Sequence, residues 1–493
     1  MENSLSSWQT VFGLGALAVA VDLAIRVAAL VIIPRNRLPT AAMAWLLAVF
    51  FVPLIGALVF LLIGSPKLPK ERRRKQAEMT RLAAQQPRDA RSPENAEAIP
   101  DWLTPVITLT ENLTGFPWVG GNDAELIGDY NASLKAMSAE IDVASSWVHV
   151  EFYILSLDQT TKPFFDSLEA AVHRGVTVRV LLDHWASSHC RDYKATVARL
   201  TSMGADFRLM LPVQPLKGRY QRLDLRNHRK LLVVDGTVAF LGSQNVIDRS
   251  YNKKSNIKRG LQWQELMCRI VGPVVASIDF VFSTDWYMET GDRLEPAHLH
   301  AAHPPPASDG TIGCQLVPSG PGFPIENNLQ VFLSLLYGAR ERIIITSPYF
   351  VPDDSMLRGL MAATGRGVHV ELFVSEIGDQ ALVWHAQRSY YEALLRTGVE
   401  IFRYPGPAIL HAKHFSVDDC VALIGSSNMD MRSFGLNSEV SLLVCSRSFV
   451  AQMRAVERDY RAISKQLTLT EWLQEPRRAT TLDGLARLTS ALQ

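Results

Sequence analysis

The strongest constraint on this chain is that it repeats itself. Residues 227–245 read NHRKLLVVDGTVAFLGSQN, and residues 411–428 read HAKHFSVDDCVALIGSSN. Five positions recur at identical spacing: His228, Lys230, Asp235, Gly242 and Asn245, then His411, Lys413, Asp418, Gly425 and Asn428. A single His-x-Lys pair says little, because alternation on any strand puts both side chains on one face. Two copies matching at five positions require a common origin. The surroundings repeat as well. HRGVTVRVLL (173–182) aligns with GRGVHVELFV (365–374), and GADFRLM (204–210) with GVEIFRY (398–404). The repeat is therefore a whole-domain duplication.

Each copy has the same order of elements. WVHVEFYIL (147–155) is strand-like, Phe164 to His173 is helical, and GVTVRVLLD (175–183) is a strand again. RIIITSPYFV (342–351), Met356 to Thr364 and GVHVELFVS (367–375) repeat the series. The alternation predicts α/β half-domains with parallel strands and crossover helices. The seam is expected in HAAHPPPASDG (300–310), where Pro, Ala and Gly interrupt order.

The repeated residues define a chemistry. Two imidazoles, two ammonium groups and two amides can surround one phosphate. Lys230 and Lys413 supply positive charge, and Asn245 and Asn428 supply neutral donors, for non-bridging oxygens. One histidine can attack phosphorus while the other protonates the leaving oxygen. Each half holds only one of these histidines, so the halves must face each other across one central site. No cluster of carboxylates or Cys/His ligands points to a metal. Glu265 and Glu439, one downstream of each motif, offer acceptors that fix an imidazole's tautomer and direction. Glu265 lies further from its motif because YNKKSNIKRG (251–260) is inserted.

The chain resembles the phospholipase D superfamily, whose signature is H-x-K-x4-D followed by G-x-x-N. That resemblance implies a phosphohistidine intermediate, no metal or other cofactor, a supporting hydrogen-bonding role for Asp235 and Asp418, and His228 as nucleophile with His411 as acid and base. Within the superfamily the chain looks most like the bacterial cardiolipin synthases. The phrases that carry this are AAMAWLLAVFFVPLIGALVFLLIGSP (41–66), LTGFPWVGGND (113–123), SGPG (319–322) and ITSPYFVPDD (345–354). Ser347 stands where that family more often has Thr. The resemblance implies a phosphatidyltransferase that joins two phosphatidylglycerol molecules into cardiolipin and glycerol, with both lipids as its membrane partners. A phospholipase D-type hydrolase, or a transphosphatidylase with another acceptor, is the alternative. A binding protein with a dead site is a further one, and two complete motifs argue against it.

Composition narrows the setting. The 493 residues suffice for two sizeable cores, and a net charge of +1 gives no basic field for nucleic acid. Five scattered cysteines without C-x-x-C spacing are expected as buried thiols rather than a disulfide framework. Two apolar runs, Trp8 to Ile33 and Thr40 to Ile63, are each long enough to cross a bilayer. Asp22 and Arg26 interrupt the first, at a spacing that lets them pair on one helix face. Lys67, Lys70, Arg72, Arg73, Arg74 and Lys75 follow the second run, a bias that predicts a cytoplasmic catalytic part. That cluster fits either a solvated flank or a grip on anionic headgroups. The same two readings apply to the loop QPLKGRYQRLDLR (214–226), with Lys217, Arg219, Arg222 and Arg226. The expected layout is a transmembrane helical hairpin at 1–66, a basic flank and linker at 67–100, and half-domains at 101–300 and 311–493. By resemblance it is a multi-pass protein of the bacterial inner or plasma membrane.

Overall fold

The computed structural model describes residues 2–35, 37, 39–64, 68–85, 97–214, 219–294 and 310–488. These form two units, Met1–Lys67 with Arg222–Asp224, and Leu68–Gln221 with Leu225–Gln493. The expected seam at 300–310 lies outside the described residues apart from Gly310, and so does Lys217.

In the first unit a helix runs over Glu2–Ile32, and its segment Gly15–Ile32 is long and apolar enough to cross a membrane. Asp22 and Arg26 pair within it, Nε to Oδ2, at 2.8 Å. The second apolar run differs from expectation. It is two helices, Pro39–Phe51 and Pro53–Ile63, broken at Val52. Proline lacks an amide proton and clashes with the preceding turn, so Pro53 opens a new helix instead of continuing one. The bend is sharp, since a Cβ on Gly56 would lie 2.6 Å from the Ala48 carbonyl oxygen. At 1.5 Å per residue these helices reach about 20 and 16 Å, so neither spans the roughly 30 Å hydrocarbon layer alone. Leu17, Phe51 and Leu61 are 60–80% exposed, as lipid-facing side chains are.

The second unit is built on one continuous sheet with an internal two-fold. On one side lie, in order, Asp206–Met210, Thr177–Asp183, Trp147–Phe152, Lys230–Val234, Val238–Gly242, Met267–Val271 and Val119–Ile127. On the other side the matching order is Glu400–Tyr404, His369–Ser375, Arg342–Thr346, His414–Val417, Val421–Gly425, Asn437–Cys445 and Ile312–Ser319. The halves join where Val119–Ile127 pairs antiparallel with Ile312–Ser319. Along this order only the β-α-β portion of each half is parallel. The motif hairpins and the joining strands are antiparallel, so the sheet is mixed rather than parallel. The Val- and Leu-rich strands are buried throughout, because helices cover both faces. Tyr130–Asp142 and Lys162–His173 cover one face of the first half, and Asn327–Gly338 and Asp354–Gly365 the equivalent face of the second. Val274–Thr290 and Arg447–Ile463 share the opposite, common core.

Two segments depart from the expected boundaries. Lys70–Ala83 is a helix docked on Val274–Thr290, not a solvated flank or linker. Arg72 makes two hydrogen bonds to Glu289, Lys75 Nζ donates to the Tyr287 carbonyl, and Met79 and Ala83 enter the core. Thr104–Thr114 opens the expected first half but packs with the second, through Val106 and the preceding Leu103. All five cysteines are free; Cys268, Cys314 and Cys445 are buried, whereas Cys190 and Cys420 are only partly so.

Candidate active site

Each motif folds as a hairpin: Lys230 opens Lys230–Val234 and Lys413 directly precedes His414–Val417, while Gly242 and Gly425 close the return strands. Asp235 and Asp418 sit in the turns between them, far along the strands from the histidines. Both adopt a left-handed φ, of 50° and 48°. The Asp235 carboxylate accepts the amides of Ser145, Ser146 and Trp147 at 2.7–2.9 Å. Asp418 accepts those of Arg340, Glu341 and Arg342 at 2.8–3.3 Å. These carboxylates close the start of each half's first parallel strand.

The histidine segments do something the sequence does not show, because each pairs with the other half. Arg226–Asn227 runs parallel to the start of Asn437–Cys445, and His228 N donates to Ser438 O at 2.8 Å. Gln262–Gln264 runs parallel to Ala408–Leu410, and His411 N donates to Gln264 O at 2.7 Å. The carboxylates follow this exchange. His228 Nδ1 lies 2.9 and 3.0 Å from the two oxygens of Glu439, and His411 Nδ1 lies 2.8 and 2.9 Å from those of Glu265. Chain order sets each glutamate after its own histidine; in space the partners are swapped. A carboxylate acceptor places the proton on Nδ1 and leaves Nε2 as the reactive nitrogen.

Lys230 and Lys413 are fully buried, with each ammonium donating to the carbonyl of its own histidine, at 2.5 and 2.7 Å. Lys413 Nζ also lies 3.1 and 3.2 Å from the His411 ring nitrogens. Burial lowers Lys230 to about 7 and Lys413 to about 8. Burial, and then the two lysines, push His228 well below its ordinary value. His411 is also lowered by burial, but Glu265 opposes the shift. The glutamates differ in turn. Burial raises Glu439 to about 7, whereas His411 and Lys413 overcome burial and hold Glu265 below the usual range. The His228–Glu439 pair is thus close to neutral, and the His411–Glu265 pair is the more ionic one.

The asparagines are not equivalent. Asn245 Oδ1 accepts from Ile154 N at 3.1 Å, and its Nδ2 donates to the Tyr251 hydroxyl at 2.9 Å. That hydroxyl also lies 3.4 Å from Glu265 Oε1. Asn428 Oδ1 is buried without a partner among the described residues.

Further side chains belong to the site. The Tyr153 ring stands edge-on to His228, centroids 4.8 Å apart, with Lys230 Nζ 5.2 Å from its face. Asn227 Nδ2 donates to Glu151 at 2.7 Å and to Asp285 at 3.3 Å, while Arg229 bonds Asp285 and, through Nε, the Glu439 carbonyl at 3.1 Å. Burial, then Asp285, raises Glu151 far above the carboxylate range. Asn227 and Arg229 flank His228 in the motif, and Glu151 is a lone carboxylate in an apolar strand. Those were the available signals. Arg226, expected in a basic surface loop, is instead buried against Asp183 and the Leu211 carbonyl.

A family described as cardiolipin synthase, PLD-like domain, matches residues 137–286 and 332–459. Cardiolipin synthase A of Pectobacterium carotovorum subsp. carotovorum (strain PC1) is 34% identical over 478 residues, covering 95% of each chain. This chain belongs to the cardiolipin synthase family of the phospholipase D superfamily. Cardiolipin synthase A of Yersinia pseudotuberculosis serotype IB (strain PB1/+) is also 34% identical, over 473 residues and 95% of each chain. A phospholipase D-nuclease N-terminal family matches residues 23–65, which fits membrane association of the apolar segment. Phosphatidylserine synthase of Haemophilus influenzae Rd KW20 shares the fold, with a TM-score of 0.58 at 15% identity over 75% of this chain and 95% of that one.

Proposed function

We propose that this phosphatidyltransferase joins two phosphatidylglycerol molecules into cardiolipin and releases glycerol. The observation that supports the reading is the exchanged pair of His–Glu contacts, which holds both histidines by Nδ1 beside the two buried lysines. His228 is the nucleophile. Burial keeps its imidazole neutral, so its lone pair is available. It attacks phosphorus of the first lipid, and the P–O bond to glycerol breaks. His411, the more ionic of the two, gives its proton to the departing oxygen. The second phosphatidylglycerol then yields its hydroxyl proton to His411, attacks phosphorus and breaks the P–N bond. Lys230, Lys413 and the Asn428 amide neutralise the non-bridging oxygens through both steps. Asn245 joins them once its amide leaves Tyr251. Asp235 and Asp418 hold the fold beneath the motifs.

Both apolar runs enter a bacterial membrane, Gly15–Ile32 as a span and the bent pair returning the chain. The basic helix at Lys70–Ala83 then places the catalytic body on the cytoplasmic side. The test of function is to incubate the purified full chain with phosphatidylglycerol vesicles and resolve products by mass. Cardiolipin and glycerol in equal amounts are expected. Phosphatidic acid without cardiolipin would make the protein a hydrolase.

A further inference from the structure

The inserted segment after the first motif has no counterpart in the second half. Glu265 lies 20 residues beyond Asn245, whereas Glu439 lies only 11 beyond Asn428. Its inner end is held at the catalytic centre. Tyr251 and Asn252 both take a left-handed φ, 58° and 53°, a conformation that costs a non-glycine residue energy. Tyr251 packs against Trp263 at 4.6 Å and places its hydroxyl on Asn245. Asn256 pins the segment from below by donating to Ser250 O at 3.0 Å.

The outer end has the opposite character. Lys254–Arg259 is a short helix, preceded by Lys253. Lys253, Lys254, Lys258 and Arg259 are all exposed, and residues 249–264 contain no acidic side chain. Among the described residues none of the four is paired with a carboxylate, and Arg259 makes one bond, to the Gly378 carbonyl. Between them Ile257 stands 56% exposed. Three carboxylates nearby have partners of their own: Asp158 accepts from Asp248 N and Asn252, Asp248 from Thr160 and Ser250, and Asp166 from Lys162 and Arg199. A groove of about 970 Å³ beside the helix is lined by Ile257 and Leu261 together with Asp158, Asp166, Asp192, Asp248 and Arg249.

We propose that this helix is a docking surface for an anionic lipid bilayer, which it holds against the mouth of the active site. A cluster of four unpaired cations around one exposed aliphatic side chain matches a surface of negative headgroups over hydrocarbon. The charges meet the phosphates and Ile257 enters the headgroup boundary. Anchorage at Asn245 then fixes the distance from that surface to the reacting phosphorus. The inference rests on the lipid-transfer reading above.

The test uses the full chain in phosphatidylcholine vesicles with a fixed fraction of phosphatidylglycerol and a rising fraction of an anionic sulfolipid. The sulfolipid has no phosphodiester and is not a substrate. The wild-type rate is expected to rise with sulfolipid and to fall with added salt. In K253Q/K254Q/K258Q/R259Q the rate at high sulfolipid falls about five-fold or more and no longer responds to salt. Ile257→Ser gives a smaller loss with the salt response kept. On short-chain phosphatidylglycerol dispersed as monomers, all three proteins run alike. A quadruple variant that follows the wild-type curve would overturn the proposal. So would a variant slowed equally on monomers, which would place the helix's effect on the catalytic centre. A wild type that makes no cardiolipin from either form would overturn the transferase reading, and this one with it.

Discussion

The exchange of carboxylates predicts that damage to one half's glutamate appears in the chemistry of the other half's histidine. The perturbation is Glu→Gln, which keeps volume and one acceptor oxygen but removes the charge. Glu265 and Glu439 are 1% and 0% exposed, so solvent does not screen either contact. A hydrogen bond to a charged group, as at His411–Glu265, contributes about 1.5–3 kcal/mol, and one between near-neutral partners, as at His228–Glu439, about 0.5–1.5 kcal/mol. At about 1.4 kcal/mol per decade, that is roughly 10- to 150-fold in the step of His411 and roughly 2- to 12-fold in that of His228. The assay is single turnover on a phosphatidyl ester with an activated leaving group, which departs without protonation. Glu439→Gln should slow the burst by the smaller factor, because it disables the attacking His228. Glu265→Gln should leave the burst near wild type and slow only transfer to the acceptor, so that a phosphatidyl adduct accumulates on His228. In this it should match His411→Ala. If Glu439→Gln instead matched His411→Ala, with a normal burst and stalled transfer, the crossed assignment would be refuted.

Other outcomes follow from the same structure. His411 must hold a proton to act as the acid and burial lowers its value, so kcat/KM should begin to fall as pH rises past the His411 value and fall further as Lys230 and Lys413 lose charge through about 7 and 8. Its acid limb should lie below pH 6.5, where the depressed His228 finally takes up a proton; an acid limb above 7 would contradict the neutral nucleophile. Asp235→Ala should lower stability by about 1 kcal/mol, read as a melting shift, since three partly exposed amides lose their acceptor while activity per folded molecule stays close to wild type. EDTA should leave the rate unchanged, because the lysines already supply the positive charge a cation would bring; restoration by one divalent ion after EDTA would show otherwise. Protease added to spheroplasts should spare residues 101–493, and digestion without lysis would reverse the topology.

What was legible in the sequence was local. The repeated spacing of His228 and His411, and the alternation that yields Trp147–Phe152, Lys162–His173 and Thr177–Asp183, depend on residues within a few positions of each other. Those are the distances over which strand and helix periodicity act. The break at Pro53 was equally local and was hidden only because apolar composition continued across it. The partnerships of Glu265 with His411 and of Glu439 with His228 span 146 and 211 residues. No periodicity carries such information. The docking of Lys70–Ala83 on Val274–Thr290, and of Leu103 on the second half, is hidden for the same reason. A basic, polar segment becomes a core helix only when a distant partner such as Glu289 supplies its counter-charge.

The exchange also explains why duplication here yields one enzyme and not two. Each histidine's amide donates to a carbonyl of the other half, at 2.7 and 2.8 Å. Each imidazole is oriented by the other half's buried carboxylate, and each short histidine strand is paired with the other half. A half without its partner has seven neighbouring strands of its own but lacks the cover that the common core supplies. It would lose the backbone partner, the acceptor and the tautomer control of its histidine together. The halves are therefore joined at the catalytic centre as well as through the paired joining strands and the common core. An insertion such as 251–260 is accommodated on one side because its helix, Lys254–Arg259, is largely exposed, while Tyr251 reaches back to Asn245 and Glu265 at the centre.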